Sequence, residues 1–488
     1  MIDTAALRKS IIDLATSGQL SSICDGDDSI RKILAQLPVV STKRKKLLAQ
    51  EYEYDELFSI PKHWKWMKLG EISSYGDAAT KIMAIDVTDN TWILELEDIE
   101  AGGRLLVKKR ADSRKSIGEK TVFKKGQVLY SKLRPYLKKV LVADENGIST
   151  PELISFDLYA DINANYIKYC LTNSYVDRVI NKRSYGIKMP RVDAGFMVNL
   201  PIPVPPIQEQ DRIVKLVENI MDEINCIDEA QKKYTNDIEI LIAKLIDSGI
   251  QGKLTEQLSE DGNAADLYEE IRAEKAKLVK ACKIKKEKAL PEITEDEIPF
   301  DIPPNWKWVR LGEISWFQGG YAFKSNLYVE DSDNQVIRLG NVKQNVLLVD
   351  ARPVFISDEL AKEVEDYRIR ENDILITMTG TRRKKDYFYA KCVEQSDLQG
   401  KKLYLNQRVG CIRVVDGVYP QFLVIALQNT EIRKIIFERE TGAVNQGNLG
   451  SEDIKKFVYI PLPPYAEQIR IVEKIREVIS CGQIMHLK

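Results

Sequence analysis

Histidine is scarce in this 488-residue chain, occurring only as His63 and His486. Two imidazoles exclude any metal site or catalytic relay built from several histidines. Cysteine is little used and unpatterned: the seven (24, 170, 226, 282, 392, 411 and 481) are odd in number, far apart, and include no C-x-x-C pair. That spacing suggests neither a disulfide framework nor a thiolate zinc site, and it fits a reducing compartment. No apolar run reaches the length of a membrane span, and the first nine residues lack the apolar core of a signal peptide, so a soluble, cytoplasmic chain is expected. Net charge is nearly absent as well, since 72 basic and 73 acidic side chains leave −1. What is abundant is length, enough for two to four folded units at roughly 100–200 residues each.

Charge that cancels overall is segregated along the chain. From Arg104 to Lys139 thirteen Lys or Arg stand against only Asp112 and Glu119, a local excess of +11, and Lys182, Arg183, Lys188 and Arg191 follow without an acid between them. A second basic cluster is Arg382, Arg383, Lys384 and Lys385, whereas 209–239, 256–274 and the linker from Glu292 to Pro299 are acidic. Charge runs are often only solvated faces. Segregation of this kind also suits two surfaces with different partners, one of them able to lie along phosphates.

The chain repeats itself. Phe58-Ser-Ile-Pro-Lys-His-Trp-Lys-Trp-Met-Lys-Leu-Gly-Glu-Ile-Ser returns from Phe300 at an offset of 242, and Pro203-Val-Pro-Pro-Ile-Gln-Glu-Gln-Asp-Arg-Ile-Val returns from Pro461 at an offset of 258. Each copy brackets a different middle, in which Lys125-Gly-Gln-Val-Leu-Tyr-Ser and Glu371-Asn-Asp-Ile-Leu-Ile-Thr share a turn followed by an alternating strand. A third echo links Ile12-Asp-Leu-Ala-Thr-Ser-Gly-Gln-Leu to Ile246-Asp-Ser-Gly-Ile-Gln-Gly-Lys-Leu. The two chain ends together thus rebuild one central segment, which predicts a pseudo-twofold molecule with its termini close together.

That central segment reads as a long helix. Ile213, Val217, Ile220, Ile224, Ile227, Gln231, Tyr234, Ile238, Leu241 and Leu245 alternate spacings of four and three, with only Gln231 breaking the apolar seam. Pro205 and Pro206 precede it, and Gly249 and Gly252 close it. About 40 residues give a rod of roughly 60 Å. Such a seam needs a partner, and the stretch around Ile471, Ile475 and Val478 is the expected one, in an antiparallel coiled pair. A second helix is expected over Ala265 to Lys288.

Two basic globular units on a helical rod suit two short DNA sites in successive major grooves. In the first unit, Lys132, Arg134, Tyr136 and Lys138 lie on an expected strand-to-turn edge, and Arg183, Tyr185, Lys188 and Arg191 on a glycine-containing loop. In the second, Thr379, Arg382, Arg383 and Lys384, then Asn406, Gln407 and Arg408, then Asn445 and Gln446 occupy comparable places. Arginine can fork onto guanine, and Asn or Gln onto adenine, while lysines suit phosphates. Leu462-Pro-Pro-Tyr resembles the Asn/Asp-Pro-Pro-Tyr of amino-methyltransferases but lacks the polar leader, and is read as a helix start. Phe317-Gln-Gly-Gly is read as a turn, and Ser248-Gly-Ile-Gln-Gly-Lys-Leu lacks the spacing and hydroxyl of a phosphate loop. The Trp64/Trp66 and Trp306/Trp308 pairs are read as core. No nucleophile–base pair or carboxylate cluster stands out.

These residues carry a family resemblance. Ile-Pro-x-x-Trp-x-Trp-x-x-Leu-Gly-Glu-Ile from Ile60 and Ile302, Pro-x-Pro-Pro-x-x-Glu-Gln-x-x-Ile-Val from Pro203 and Pro461, and Tyr130-Ser-Lys-Leu-Arg-Pro-Tyr resemble the specificity subunits of type I restriction–modification systems over nearly the whole chain. The resemblance implies an α+β fold in which two α/β target recognition domains are separated by long antiparallel helices. The boundaries expected are 1–57 for an N-terminal helical segment, 58–206 for the first recognition domain and 207–290 for the helical spacer. A linker at 291–299, the second recognition domain at 300–463 and a C-terminal helix at 464–488, pairing with the central one, complete the chain. It further implies double-stranded DNA and two modification (methyltransferase) subunits as partners, with S-adenosylmethionine held by the latter for adenine methylation. ATP and Mg would belong to restriction subunits, and no catalytic residue, cofactor or metal to this chain. The stretch 22–57, with Lys43-Arg-Lys-Lys, departs from the pattern and is read either as a helix beside the central one or as a basic arm. The competing functional readings are a self-contained DNA methyltransferase and a DNA-binding scaffold.

Overall fold

A computed structural model describes residues 1–54, 56–186, 188–443 and 445–481. His486 and the end of the expected C-terminal helix lie outside the described residues. The chain divides into two compact units, Met1–Lys232 and Lys233–Lys488.

The repeated blocks are the two sides of one clasp. In the first unit Lys65–Lys68 pairs antiparallel with Pro201–Val204, and in the second Lys307–Arg310 pairs with Tyr459–Leu462 in the same register. Each is a two-stranded ribbon, so the prolines keep their missing N–H on an open edge. Trp64 and Trp306 are buried just ahead of the ribbons, and the Trp306 indole N–H donates to Glu467 Oε2 at 2.8 Å. The Glu-Gln pair of the second block is wholly buried in both copies. Gln210 accepts from the Asn163 N–H at 2.9 Å and Gln468 from the Tyr419 N–H at 2.7 Å. Both then donate to a proline carbonyl five residues back, Pro205 and Pro463. Burial of uncapped amides would be costly, so these partners explain why the pair recurs.

The N-terminal echo has the same kind of basis. The first helix, Thr4–Thr16, places Asp13 to accept from the Ser174 N–H, as Asp247 at the end of the central helix accepts from that of Thr430. Gly18 and Gly252, both at positive φ, approach Pro61 with Trp64 and Pro303 with Trp306 too closely for any side chain. Arg212 pairs with Asp27, and Arg470 with Asp261. The start of the chain thus does for the first unit what the end of the central helix does for the second.

That central helix runs Ile207–Ile250, 44 residues or about 66 Å. Ile213, Val217 and Ile224 are buried at its start, while Ile246 and Ile250 join the core of the second unit with Ile471 and Ile475. Tyr234 and Leu241 between them are about half exposed. The last helix, Tyr465–Cys481, therefore meets only the final turns, because 17 residues reach only about 25 Å. The first helix lies along the other half: Ile2 N–H donates to Gln231 Oε1, Thr4 to Asp228, and Arg8 to Asn225. Gln231, the break in the apolar seam, is thus a hydrogen-bond acceptor for the chain start. The following helix is shorter than its periodicity suggests, Ala264–Lys280, and closes with Cys282 at φ +56° and the Lys283 N–H on the Leu278 carbonyl.

Inside each clasp lie two sheets of three or more strands, and in the second unit also two short ribbons, Val342–Lys343 with Val346–Leu347 and Thr379–Gly380 with Gly447–Asn448. In the first unit the strand order is Lys81–Met83, Glu119–Phe123, Gly147–Ser149, Trp92–Leu94, Lys109–Arg110 in one sheet, and Val140–Val142, Val128–Ser131, Leu153–Phe156 in the other. In the second it is Ser315–Gly319, Val409–Val414, Ile374–Thr377, Ala390–Cys392, and Tyr328–Val329, Phe355–Ile356, Asn334–Ile337, Lys402–Leu405. Among the described residues each unit holds one parallel pair of strands, Trp92–Leu94 with Gly147–Ser149 and Asn334–Ile337 with Lys402–Leu405.

The stretch 22–57 contains two short helices, Ile30–Gln36 and Thr42–Leu48. It is not a basic arm at Arg44, which is only 7% exposed. Its guanidinium donates to the carbonyls of Gly70, Ser73 and Tyr75 and to Asp77 at 2.7 Å, closing the end of the helix Leu69–Ile72. Lys275 does this for the helix Leu311–Ile314, donating to the carbonyls of Gly312 and Ser315. Arg44→Ala strips three carbonyls of their donor, and is expected to destabilise the first unit by about 2–4 kcal/mol. Amide exchange along Lys65–Lys68 checks this; unchanged protection would refute it.

Candidate nucleic-acid interface

In the first unit the structure brings the two loops singled out in the sequence side by side. Leu133 and Tyr185 both bridge to Arg191, the Arg134 N–H donates to the Pro190 carbonyl at 2.7 Å, and the Val192 N–H to that of Lys132. Arg134 and Lys138, both in left-handed backbone, bracket the short turn Pro135–Leu137. The turn Thr150-Pro-Glu joins them, since the Lys132 N–H donates to the Glu152 carbonyl.

The side chains there fall into two groups. Arg191 binds Glu152 at 2.9 Å, which holds that carboxyl below its usual range, and Lys132 lies 3.9 Å from the same acid. Lys138 turns away to Asp177 at 3.0 Å and the Thr172 carbonyl. Arg183 reaches the Glu53 carbonyl. By contrast Arg134 and Lys188 are exposed and have no side-chain partner among the described residues, and Tyr136 and Tyr185 beside them are half exposed or more.

The long basic run does not survive as a free field. Eight of its thirteen cations are ion-paired: Arg104 with Glu100, Lys108 with Asp144, Lys109 with Glu97, Arg110 with Glu145, Arg114 with Asp98, Lys120 with Glu95, Lys132 with Glu152 and Lys138 with Asp177. The acids flank the run on both sides in sequence and fold back onto it, which a count along the chain cannot register.

The second unit brings three predicted segments together. Thr379–Gly380 pairs with Gly447–Asn448, placing Asn445 and Gln446 beside the basic loop, and the Met378 N–H donates to the Arg408 carbonyl at 3.4 Å. Thr379 is a ribbon residue. Arg382 is held by the Gly442 carbonyl at 3.0 Å and by Glu440 at 3.4 Å. The loop is closed by the Thr381 N–H on Asp386, which lowers that carboxyl's pKa. Arg383, Lys384, Gln407, Arg408, Asn445 and Gln446 are exposed, with no side-chain partner among the described residues; Asn406 is half-buried.

A fourth segment was missed. Phe317-Gln-Gly is not a turn but the end of the strand Ser315–Gly319, and Tyr321 then runs parallel to Asn406. The signal available was the strand-favouring aromatic pair Trp316-Phe317 ahead of two glycines. The tryptophan pairs belong to the clasps and not to this surface. Among the described residues no three His, Cys, Asp or Glu gather as a metal site, and no helix is long and apolar enough to cross a membrane.

Comparison with known proteins agrees with this layout. The family described as type I restriction modification DNA specificity domain matches residues 50–233 and again 303–488. The EcoAI specificity subunit of a type I restriction enzyme of Escherichia coli is 26% identical over 99% of this chain and 90% of its own length. The EcoEI specificity subunit of the same organism is 23% identical over 98% and 89%. A solved structure, described as the structural basis of complex assembly and conformational transition of the type I R-M system, shares the fold. It has TM-score 0.58 and 18% identity, over 88% of this chain and 93% of that one. With two specificity domains in one chain, each carrying the same clasp, the protein belongs to the type I restriction–modification specificity subunits, the non-catalytic DNA specificity component of those enzymes.

Proposed function

We propose that each unit reads one half of a bipartite double-stranded DNA target with the converged loops, and that the helices set the gap and dock two modification subunits. The observation that supports this is the convergence, in each unit, of loops far apart in sequence on which Arg134, Lys188, Arg383, Lys384, Gln407, Arg408, Asn445 and Gln446 are exposed with no side-chain partner among the described residues. Arg134, Tyr136, Arg183, Tyr185 and Lys188 face DNA in the first unit, with Lys132, Lys138 and Arg191 shaping the loops. Arg383, Lys384, Asn406, Gln407, Arg408, Asn445 and Gln446 do so in the second, with Thr379 and Arg382 as supports. S-adenosylmethionine and adenine methylation then belong to the modification subunits, and ATP with Mg to restriction subunits, all in the cytoplasm.

Long-read methylation mapping of cells expressing this chain with its modification subunits tests the reading, and a motif in two parts around an unspecified gap is expected. Arg134→Ala should reduce methylation through one half of that motif by about 10- to 100-fold, the value of a lost arginine–guanine fork, without relaxing the other half. Lys188→Ala should instead weaken binding to all sequences alike and lower the salt slope by about one. Loss of both halves with Arg134→Ala would refute the assignment.

A further inference from the structure

We infer that the turn Asn406–Arg408 is the base-reading element of the second unit and that Gly320 is the positioning residue that seats it, which rests on the recognition role proposed above. A reader of base edges must be fixed to within a fraction of an ångström, whereas a phosphate contact tolerates play. This turn is pinned from three directions. The Asn406 N–H donates to the Ile337 carbonyl at 3.1 Å, the Gln407 N–H to Tyr321 at 2.9 Å, and the Arg408 carbonyl accepts from Met378 at 3.4 Å. These three backbone groups are held by neighbouring segments, while the Gln407 and Arg408 side chains are exposed and unpartnered among the described residues. Those two carry the paired groups that match adenine and guanine.

Gly320 makes the seat possible. A Cβ there would lie 2.1 Å from the Asn406 carbonyl oxygen and 2.2 Å from its carbon, both backbone atoms that cannot swing aside. A side chain therefore moves the turn by about an ångström, away from base-edge geometry. Gly319 next to it meets nothing within 4 Å. In the first unit the corresponding turn, Thr150-Pro-Glu, carries Glu152, which is engaged by Arg191. The two units thus present opposite chemistry from the same place in the fold.

The full chain with its modification subunits, mapped by long-read methylation, tests this with Gly319→Ala, Gly320→Ala, Gln407→Ala and Arg408→Ala. Gly319→Ala should match the unsubstituted chain. Gly320→Ala and Gln407→Ala should each lower methylation of the original motif by about 10- to 100-fold and relax the same half, the one that Arg134→Ala leaves intact. General structural damage would weaken both halves together, and that result, or an unchanged motif, would overturn the inference. If Gly320→Ala does not assemble, Gln407→Ala and Arg408→Ala decide: relaxation of that half supports the turn as reader, and an intact motif overturns it. An unsubstituted chain with no bipartite motif would overturn the recognition reading itself, whereas a bipartite motif indifferent to all four substitutions would overturn only this inference.

Discussion

A chain in which residues 58–206 are replaced by the corresponding block of another specificity subunit should direct methylation to a target with one new half and one old half. The exchange is physically reasonable because the block begins and ends in a single ribbon, with Lys65 opposite Val204 and Lys68 opposite Pro201. Its entry and exit are therefore neighbours, and the recognition loops lie far along the chain from both. Contacts that cross the boundary of the block must survive. Trp64 is buried beside Gly18, the Arg44 guanidinium donates to the carbonyls of Gly70, Ser73 and Tyr75, the Ser174 N–H donates to Asp13, and the Asn163 N–H donates to Gln210. A donor that keeps these positions should retain full methylation, since the loop residues bear little on the core. Methylation mapping would refute independent reading if both halves of the target changed.

The second large effect concerns Arg310, which is 1% exposed at the base of the second clasp. It is ion-paired with Glu297 at 2.7 Å, donates to the carbonyls of Pro291 and Lys456 and to the Tyr459 hydroxyl, and lies 5.0 Å over the Tyr459 ring. The acidic linker is thereby stitched to the clasp. Arg310→Ala takes a donor from the Glu297 carboxylate and from three carbonyls, those of Pro291, Lys456 and Glu292, and should cost the second unit about 3–5 kcal/mol. Amide exchange in Lys307–Arg310 and Tyr459–Leu462 would show it, and near-normal protection would refute the estimate. Burial raises the pKa of Glu297, but hydrogen bonds from Tyr459, the Thr294 N–H and Arg310 outweigh it and bring the value from 4.5 down to about 2. Folding thus favours the ionised form. This stabilisation is fully present above the unfolded value near 4.5 and is lost as pH falls through about 2. Glu297→Gln should remove that acid-dependent part of the stability between about pH 5 and 2, and an unaltered acid profile would count against it.

Much of this was legible in the residues because it rests on local or repeated pattern. The long helix followed from the four–three spacing that buries Ile213, Val217 and Ile224 on one face. The clasps followed from blocks that recur because each copy must bury the same Trp, Glu and Gln with the same partners. The echo of Ile12–Leu20 in Ile246–Leu254 carried real contacts, those of Asp13 and Asp247 and of Gly18 and Gly252.

What only the tertiary structure decided is which charges and which loops meet. Ion pairing depends on distance in space, so most of the excess between Arg104 and Lys139 is cancelled once acids outside the run, Glu95, Asp98, Asp144 and Glu145 among them, fold against it, while Arg134 in its left-handed turn has no side-chain partner among the described residues. Arg44, in a stretch read either as a helix beside the central one or as a basic arm, is a buried cap because the carbonyls it closes lie more than twenty residues away. Gly320 is part of a stretch read as a turn, and only the fold sets it against the backbone of Asn406. The sequence by itself determined the two repeated domains, the long helices that join them and the family; the fold alone determined which polar side chains are left over at the surface, because leftover polarity is defined only after every internal partner has been found.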